Sequence, residues 1–327
     1  MPVYNKAPYI RKALDSIMSQ TYRDFELIIV DDGSTDDSAA ICEAYIQEII
    51  NHKFEILNIR LIKQTNAGVA AARNNGVKAS HSEYLCFLDA DDWWKPSFLA
   101  EMSQLIDAYP DAGIYSSNYI YFKPGKTHVA LSLSTGYINY PEAYLRSKSM
   151  PVWTGATCMP RKVFDEMGGF PVGIKLGEDF LLWAKTSLHY PVVFNERPLA
   201  YYNNEVPPSL RATRNLHAPE HHMLFHLTPL EEAIQDLSIA HKLTPSCVNS
   251  WHQLFDRLRV NGIHDYWMSD AFHDVAAREL AKVDWTKQPE SVVRRYKMPI
   301  WLLKAQRRFM QIGSYYKQRL IQIMHHV

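Results

Sequence analysis

The stretch EYLCFLDADDWWKP (Glu83–Pro96) runs an apolar segment straight into three acids, Asp89, Asp91 and Asp92. A short, continuous apolar run such as EYLCFL reads as a strand buried on both faces. The acids then fall at its carboxyl end, followed by a helix, PSFLAEMSQLIDAY, with Pro96 at its first position. The same grammar stands upstream. FELIIV (25–30) is a second buried strand, ending in the turn DDGSTDD, with Ser34 or Thr35 as helix cap and Asp36 as a further choice.

Between and around these two stretches the chain alternates in type. APYIRKALDSIMSQ spaces Ile10, Leu14, Ile17 and Met18 as a helix does, AAICEAYIQEII and AGVAAARNNGVKA are helical, and IRLIKQ (59–64) and AGIYSSNYIYF (112–122) are strands. Strands alternating with helices predict α/β architecture with a mostly parallel sheet flanked by helices. Ligands of such sheets bind beyond the carboxyl ends of the strands, where both acidic turns lie. Farther on, RKVFDEMGGF and GEDFLLWAKTSLHY read as helices, the latter placing Phe180, Trp183, Ala184 and Leu188 on one face, and PVVFNERPLAYYN reads as a strand. From residue 220 onward the chain reads mostly helical. Proline-containing stretches at Pro207–Pro208 and Pro289 are candidate junctions.

The 327 residues carry 35 Lys/Arg and 35 Asp/Glu, which excludes a global nucleic-acid signature. The balance is uneven: residues 287–327 hold nine Lys/Arg and one acid, Glu290, on an otherwise acidic chain. Cys42, Cys86, Cys158 and Cys247 are widely spaced, which argues against zinc or a disulfide framework and suits a reducing, cytoplasmic setting. No stretch reaches the roughly 20 apolar residues of a membrane span.

Asp89 and Asp91, two apart, point to one side of an extended segment. Two carboxylates in one small space repel, and a hard divalent cation with oxygen ligands relieves that repulsion. Mg²⁺ or Mn²⁺ held by one or two carboxylates completes its shell with substrate phosphates and water. A solvated acidic turn is the plainer reading of an isolated D-x-D; the second acidic turn, Asp31–Asp32, on the same sheet edge favours a nucleotide site.

The blocks PVYNKAPYIRKALDSIMSQTYRDFELIIVDDGSTDDS, NAGVAAARNNGVKAS and YLCFLDADDWWKP, in that order and spacing, resemble the nucleotide-sugar-binding half of the family 2 glycosyltransferases, which have the GT-A fold. Weaker similarity continues through GGFP and GEDFLLW to about residue 205. The resemblance implies a metal-dependent, inverting transfer of a hexose or N-acetylhexosamine from a UDP-sugar to a hydroxyl of a surface polysaccharide or lipid-linked glycan. It implies nucleotide contacts at Pro2, Tyr4, Asp32, Arg73 and Asp89. Tyr4 would lie against uracil, with a core aromatic equally open, and Asp32 would accept from the uracil N3–H. It makes Asp91 the main metal ligand with Asp89 beside it, and Asp92 a residue that holds the following turn. Asp179 would be the general base that acceptor deprotonation requires, with Glu178 as neighbour or alternate. Both also suit a helix N-terminus electrostatically. Trp94 reads as packing, and Trp153 as stacking on a sugar or packing.

The family places a hydrophobic strand ahead of PVYN, whereas here Met1 directly precedes Pro2, so the first strand is expected to be missing, by a segment lying before this sequence or in a truncated relative. A truncated, non-catalytic nucleotide-sugar-binding or scaffold protein at the membrane is thus the alternative to an enzyme. A nucleotidyltransferase lacks its Gly-rich basic loop here. The organisation expected is residues 1–122 for the nucleotide-sugar-binding half, 123–219 for the acceptor half and 220–327 for a helical extension. Its basic tail, with Trp301, Leu302, Phe309, Tyr315, Tyr316 and Leu320 among Arg and Lys, suits peripheral contact with the cytoplasmic face of an anionic membrane, or packing on the acidic body. His217/His221 and His222/His226 stand at i, i+4, where a solvated helix outweighs a metal site.

Overall fold

The computed structural model describes residues 1–51, 58–207 and 216–305. It divides into two compact units, one from Met1 to Leu254 and one starting at Phe255.

The first unit begins with strand β1 (Pro2–Val3), helix α1 (Ile10–Met18), β2 (Glu26–Asp31), α2 (Ser38–Asn51), β3 (Asn58–Lys63) and α3 (Val69–Ala79). β2 shows why a continuous apolar run makes a buried strand. Leu27 and Ile29 point into one cluster with Val3, Ile10, Leu14 and Ile17. Ile28 and Val30 point the other way, against Ala72 of α3. Alternate residues face opposite sides, so both faces must be apolar. α3 can lie close because its inner face is small: a Cβ on Gly76 would stand 3.4 Å from Val30 Cγ2.

The chain continues through β4 (Tyr84–Cys86), β5 (Trp93–Trp94), α4 (Phe98–Ala108), β6 (Ile114–Phe122), β7 (His128–Val129), β8 (Gly136–Ile138), α5 (Tyr140–Arg146), β9 (Thr157–Pro160), α6 (Arg161–Met167), α7 (Glu178–His189) and β10 (Val192–Asn203), then α8 (Thr228–Ile239). The described strands form two sheets, β1-β2-β3 and β4-β9-β6-β10-β5, with β7 beside β6 and β8 beside β10. The α/β class is as expected, but the pairing is mixed rather than mostly parallel. β1, β2 and β3 are parallel, as are β6 and β10, whereas β9 runs antiparallel to both β4 and β6. β9 is threaded antiparallel between β4 and β6, and β5, β7 and β8 also run antiparallel to the strands they pair with. Pro198 lies inside β10 where the register with β6 shifts, the position at which a strand tolerates a residue without an N–H.

β1 is only the two residues Pro2–Val3, and the longer hydrophobic run that the resemblance sets ahead of PVYN is, as expected, not among the 327 residues. The carbonyls of Met1 and Val3 accept from Val30 N and Asp32 N at 2.9 and 2.8 Å, which puts Pro2–Val3 in register with β2. Below this strand a cavity of about 590 Å³ separates the flanks of β2 and β4, lined by Leu27, Ile28, Leu85, Phe87, Met102 and Cys158 among others. α4 starts at Phe98, two residues later than Pro96 suggests, and Asp36 rather than Ser34 or Thr35 accepts from the first amide of α2, Ser38 N, at 3.0 Å.

The expectation of helix from residue 220 fails locally. Pro219–His221 and Met223–Phe225 are single 3₁₀ turns. The histidines at i, i+4 are therefore not stacked on a helix face. His221 Nδ1 donates to Gly173 O at 2.7 Å, while His222 is pushed down to about 4 by burial and by His217 and His226.

After α9 (Pro245–Gly262), the second unit contains α10 (His264–Trp267), α11 (His273–Leu280) and α12 (Glu290–Lys297). Its interior includes Arg259, 1% exposed and paired with Glu279 at 3.1 Å. Trp301 is 70% exposed. Phe309, Tyr315, Tyr316 and Leu320 of the basic tail lie outside the described residues. Among the described residues no helix is long and apolar enough to cross a membrane.

Gly113 enters β6 against α7, and a Cβ there would stand 2.4 Å from Tyr190 Cβ. Its amide is held to Pro191 O at 3.0 Å, so the backbone has little room to retreat. Gly113→Ala should cost about 1–3 kcal/mol by overpacking, read as a lowered urea midpoint with an unchanged m-value.

Candidate functional site

A glycine and a run of acids place the candidate side chains. α7 starts after Gly177 (φ 83°), a left-handed position where a Cβ would also meet Met223 Sδ at 2.3 Å, so the chain needs glycine there. This turn aims Glu178 and Asp179 towards the end of β4. The seat beneath is aromatic: Phe87 meets Phe170 edge-on at 5.1 Å, and Phe170 meets Trp183 of α7 at 5.6 Å.

Arg73 lies between the two acidic motifs. It is 5% exposed, donating Nη2 to Asp89 Oδ1 and Nη1 to Glu178 Oε1, both at 2.8 Å, over the ring of Phe170 at 5.0 Å. The sequence expectation had Arg73 facing the nucleotide; in the structure its guanidinium is committed to two carboxylates inside the protein. Asn74 fixes the next turn of α3 by exchanging two bonds with the backbone of Phe170.

The three acids after β4 meet three different environments. Asp89, with its side chain 30% exposed, is held by Arg73. Asp91 pairs with Lys6 Nζ at 2.6 Å. Asp92 is buried and accepts from Asn203 N at 2.7 Å, tying the end of β10 to this turn. Burial, then the neighbouring Asp91 and Asp89, push its carboxyl well above the usual range. Asp92 was expected to hold the following turn; its carboxylate instead accepts from a backbone amide 111 residues away.

Asp32 accepts through Oδ1 from Gln64 Nε2 at 2.7 Å and Ala67 N at 2.8 Å, and through Oδ2 from Gly68 N at 2.9 Å. It thereby folds the N-A-G loop over the end of β2. Pro2 is buried in β1. Tyr4 is 46% exposed, which removes the core-aromatic reading and leaves its ring face open. Asn5, at φ 50°, secures this loop by accepting from Thr35 N at 2.8 Å.

On the far side, Asp179 accepts from Thr154 Oγ1 at 2.9 Å through Oδ2 and from Phe180 N at 2.8 Å through Oδ1. Trp153 is buried, packed against Tyr119 and Tyr202 at 4.7 and 5.3 Å, and Trp94 donates Nε1 to Gly155 O at 2.7 Å while stacking on Phe98. Both tryptophans pack. Lys6, Thr154 as a hydrogen-bond donor, Asn74 and Asn203 were not singled out as site residues by the sequence; each bond joins residues far apart in the chain, and only the adjacency of Lys6 to PVYN gave a signal.

Among the described residues no group of three or more His, Cys, Asp or Glu gathers as a metal cage would. Asp91 and the exposed side of Asp89 form a one- or two-carboxylate arrangement. That donor set suits a hard divalent cation whose remaining ligands come from phosphate and water.

Glu178 is raised from its ordinary 4.5 to about 7, first by burial, then by Asp179, with Arg73 opposing. Its folded value lies above its unfolded one, so folding takes up a proton between the two, and stability falls as pH rises from about 4.5 to about 7. Denaturation midpoints of the protein and of Glu178→Gln at pH 5 and pH 7.5 measure this. The variant should lose less stability across that interval, by on the order of 1–3 kcal/mol. An equal loss in both would show that Glu178 ionises normally.

The TarS fragment 1–349 of S. aureus, solved in complex with UDP, superposes with a TM-score of 0.66 at 18% identity, over 86% of this chain and 78% of that one, which establishes a shared fold. Glycosyltransferase GlyA of Streptococcus pneumoniae is 40% identical over 122 residues, 37% of this chain and 16% of GlyA. The minor teichoic acid biosynthesis protein GgaB of Bacillus subtilis is 34% identical over 129 residues, 39% of this chain and 14% of GgaB. The match thus spans less than a fifth of the length of either relative. The profile of glycosyl transferase family 2 matches residues 1–168, more than half of the sequence, and the chain belongs to that family.

Proposed function

We propose that the chain transfers a hexose or N-acetylhexosamine from a UDP-sugar to a hydroxyl of a surface polysaccharide or lipid-linked glycan, with inversion at the anomeric carbon. The observation that carries this reading is the continuous link Asp89–Arg73–Glu178, which sets the acids of the D-A-D turn beside Asp179 on its Thr154 support. Binding of UDP by TarS and the teichoic acid assignment of GgaB favour the donor and acceptor classes.

In this reading Tyr4 offers its exposed ring to the uracil, and Asp32 shapes the loop beside it. Asp91, with Asp89, would hold Mg²⁺ or Mn²⁺, which when bound neutralises charge on the diphosphate. Asp179 takes the proton from the acceptor hydroxyl. That oxygen attacks the anomeric carbon from the face opposite the diphosphate, and the bond to the diphosphate breaks with its electron pair on the departing oxygen. Arg73 holds Asp89 in place, and Glu178 completes the pairing of the guanidinium. The exposed Arg294, Arg295, Lys297 and Trp301 of the second unit favour contact with an anionic membrane surface at the cytoplasmic face.

Asp179→Asn separates binding from chemistry. It should lower turnover roughly 10²–10⁴-fold, the usual worth of a general base, while UDP affinity by calorimetry stays within about twofold. Asp91→Asn should lose both turnover and metal-dependent UDP binding. A folded chain that binds UDP and turns over no donor even with Asp179 intact would favour the non-catalytic, scaffold reading instead.

A further inference from the structure

Lys6 enters the site from a direction that the motifs do not anticipate. Its backbone is fixed on three sides: Lys6 N donates to Ser38 Oγ at 2.8 Å, and Lys6 O accepts from Tyr9 N and Ile10 N at 2.9 and 3.0 Å, opening α1. From this anchored position Nζ reaches Asp91 Oδ2 at 2.6 Å, with the two side chains only 16% and 17% exposed. An ammonium at this distance, partly shielded from water, makes a charge-assisted bond to the carboxylate oxygen.

We propose that Lys6 is the resident counter-cation of the donor-free site, competing with the divalent metal for Asp91, so that metal and nucleoside diphosphate bind together rather than in turn. The proposal rests on the reading of Asp91 as metal ligand. A metal drawn to Asp91 must displace the ammonium from Oδ2 or approach beside it, and two cations on one carboxylate repel. A diphosphate changes the balance because its oxygens give Lys6 a new anionic partner close by. Lys6 then passes from carboxylate to phosphate, and Asp91 is released to the metal. Such a handover couples the two ligands, and the coupling is reciprocal: UDP tightens metal binding by the factor by which metal tightens UDP.

The competition is read from Mn²⁺ affinity, independently of turnover. Calorimetric titration of Mn²⁺ into the full chain, without and with saturating UDP, compares the wild type with Lys6→Gln, Lys6→Arg and Asp91→Asn. Lys6→Gln should bind Mn²⁺ about tenfold more tightly than wild type without UDP, and its enhancement by UDP should shrink. Lys6→Arg keeps the charge and should bind no more tightly than wild type. Unchanged or weaker Mn²⁺ binding by Lys6→Gln overturns the competition. Wild-type Mn²⁺ affinity in Asp91→Asn instead overturns the assignment of the metal ligand, a different failure. Should Lys6→Gln not fold, the wild-type chain still decides. Mn²⁺ without UDP should raise acetylation of Lys6, read by mass spectrometry, several-fold, and an unchanged rate rejects the displacement.

Discussion

One guanidinium, buried between two carboxylates, is what the candidate site depends on. Desolvating Arg73 is costly, and Asp89 and Glu178 offset that cost only together, because each is itself a charge drawn partly or wholly out of water. Every support of α3 serves this placement. Ala72 and Gly76 let the helix approach β2, and Asn74 locks it to Phe170. The ring of Phe170 in turn covers the guanidinium face. Moving α3 by even an ångström would leave a buried arginine and a buried glutamate without their bonds, so the packing of this helix is held to tight limits.

The D-A-D-D turn shows how environment divides labour among identical side chains. Three aspartates within four positions share one backbone turn, yet one faces an arginine, one a lysine and one the protein interior. Were all three solvated, their repulsion would open the turn. Instead the two partly exposed acids each have a cation, and burial disfavours the charged form of the third. Asp89 and Asp91 are the pair with access to solvent.

How far this was legible in the sequence depends on the range of the interaction. The alternation of α1, β2, α2, β3 and α3 follows from local periodicity, and the apolar runs at 25–30 and 83–88 located the strand ends that carry the acids. Helix α7 and its leading acids were equally plain. The antiparallel insertion of β9 was not, because the short strand Thr157–Pro160 has no pattern that names its neighbours. Arg73 looked like a nucleotide contact, since nothing local shows that two carboxylates, 16 and 105 residues away, close on it. The histidines of 217–226 misled in the opposite sense. Their spacing is helical, but Pro219 and burial favour two tight turns, in which the rings satisfy backbone groups.

The same range of interaction bears on what the sheet alone could achieve. The residues that resemble a nucleotide-sugar site most strongly end at Pro96, but their geometry is completed from beyond that point. Glu178 supplies the second partner of Arg73, and Asn203 N fixes Asp92. Gly155 O holds Trp94 beneath the acidic turn. Asp179, in return, is oriented by Thr154, whose 3₁₀ turn is framed by the ring of Trp153. The two halves therefore supply each other's first hydrogen-bond partners. A displacement of α7 is felt at Asp89 through a single arginine, and one of the D-A-D-D turn at the end of β10 through a single carboxylate. Placing both sets of acids on one connected network makes their spacing a property of the fold as a whole, which is what the proposed displacement between two bound partners requires.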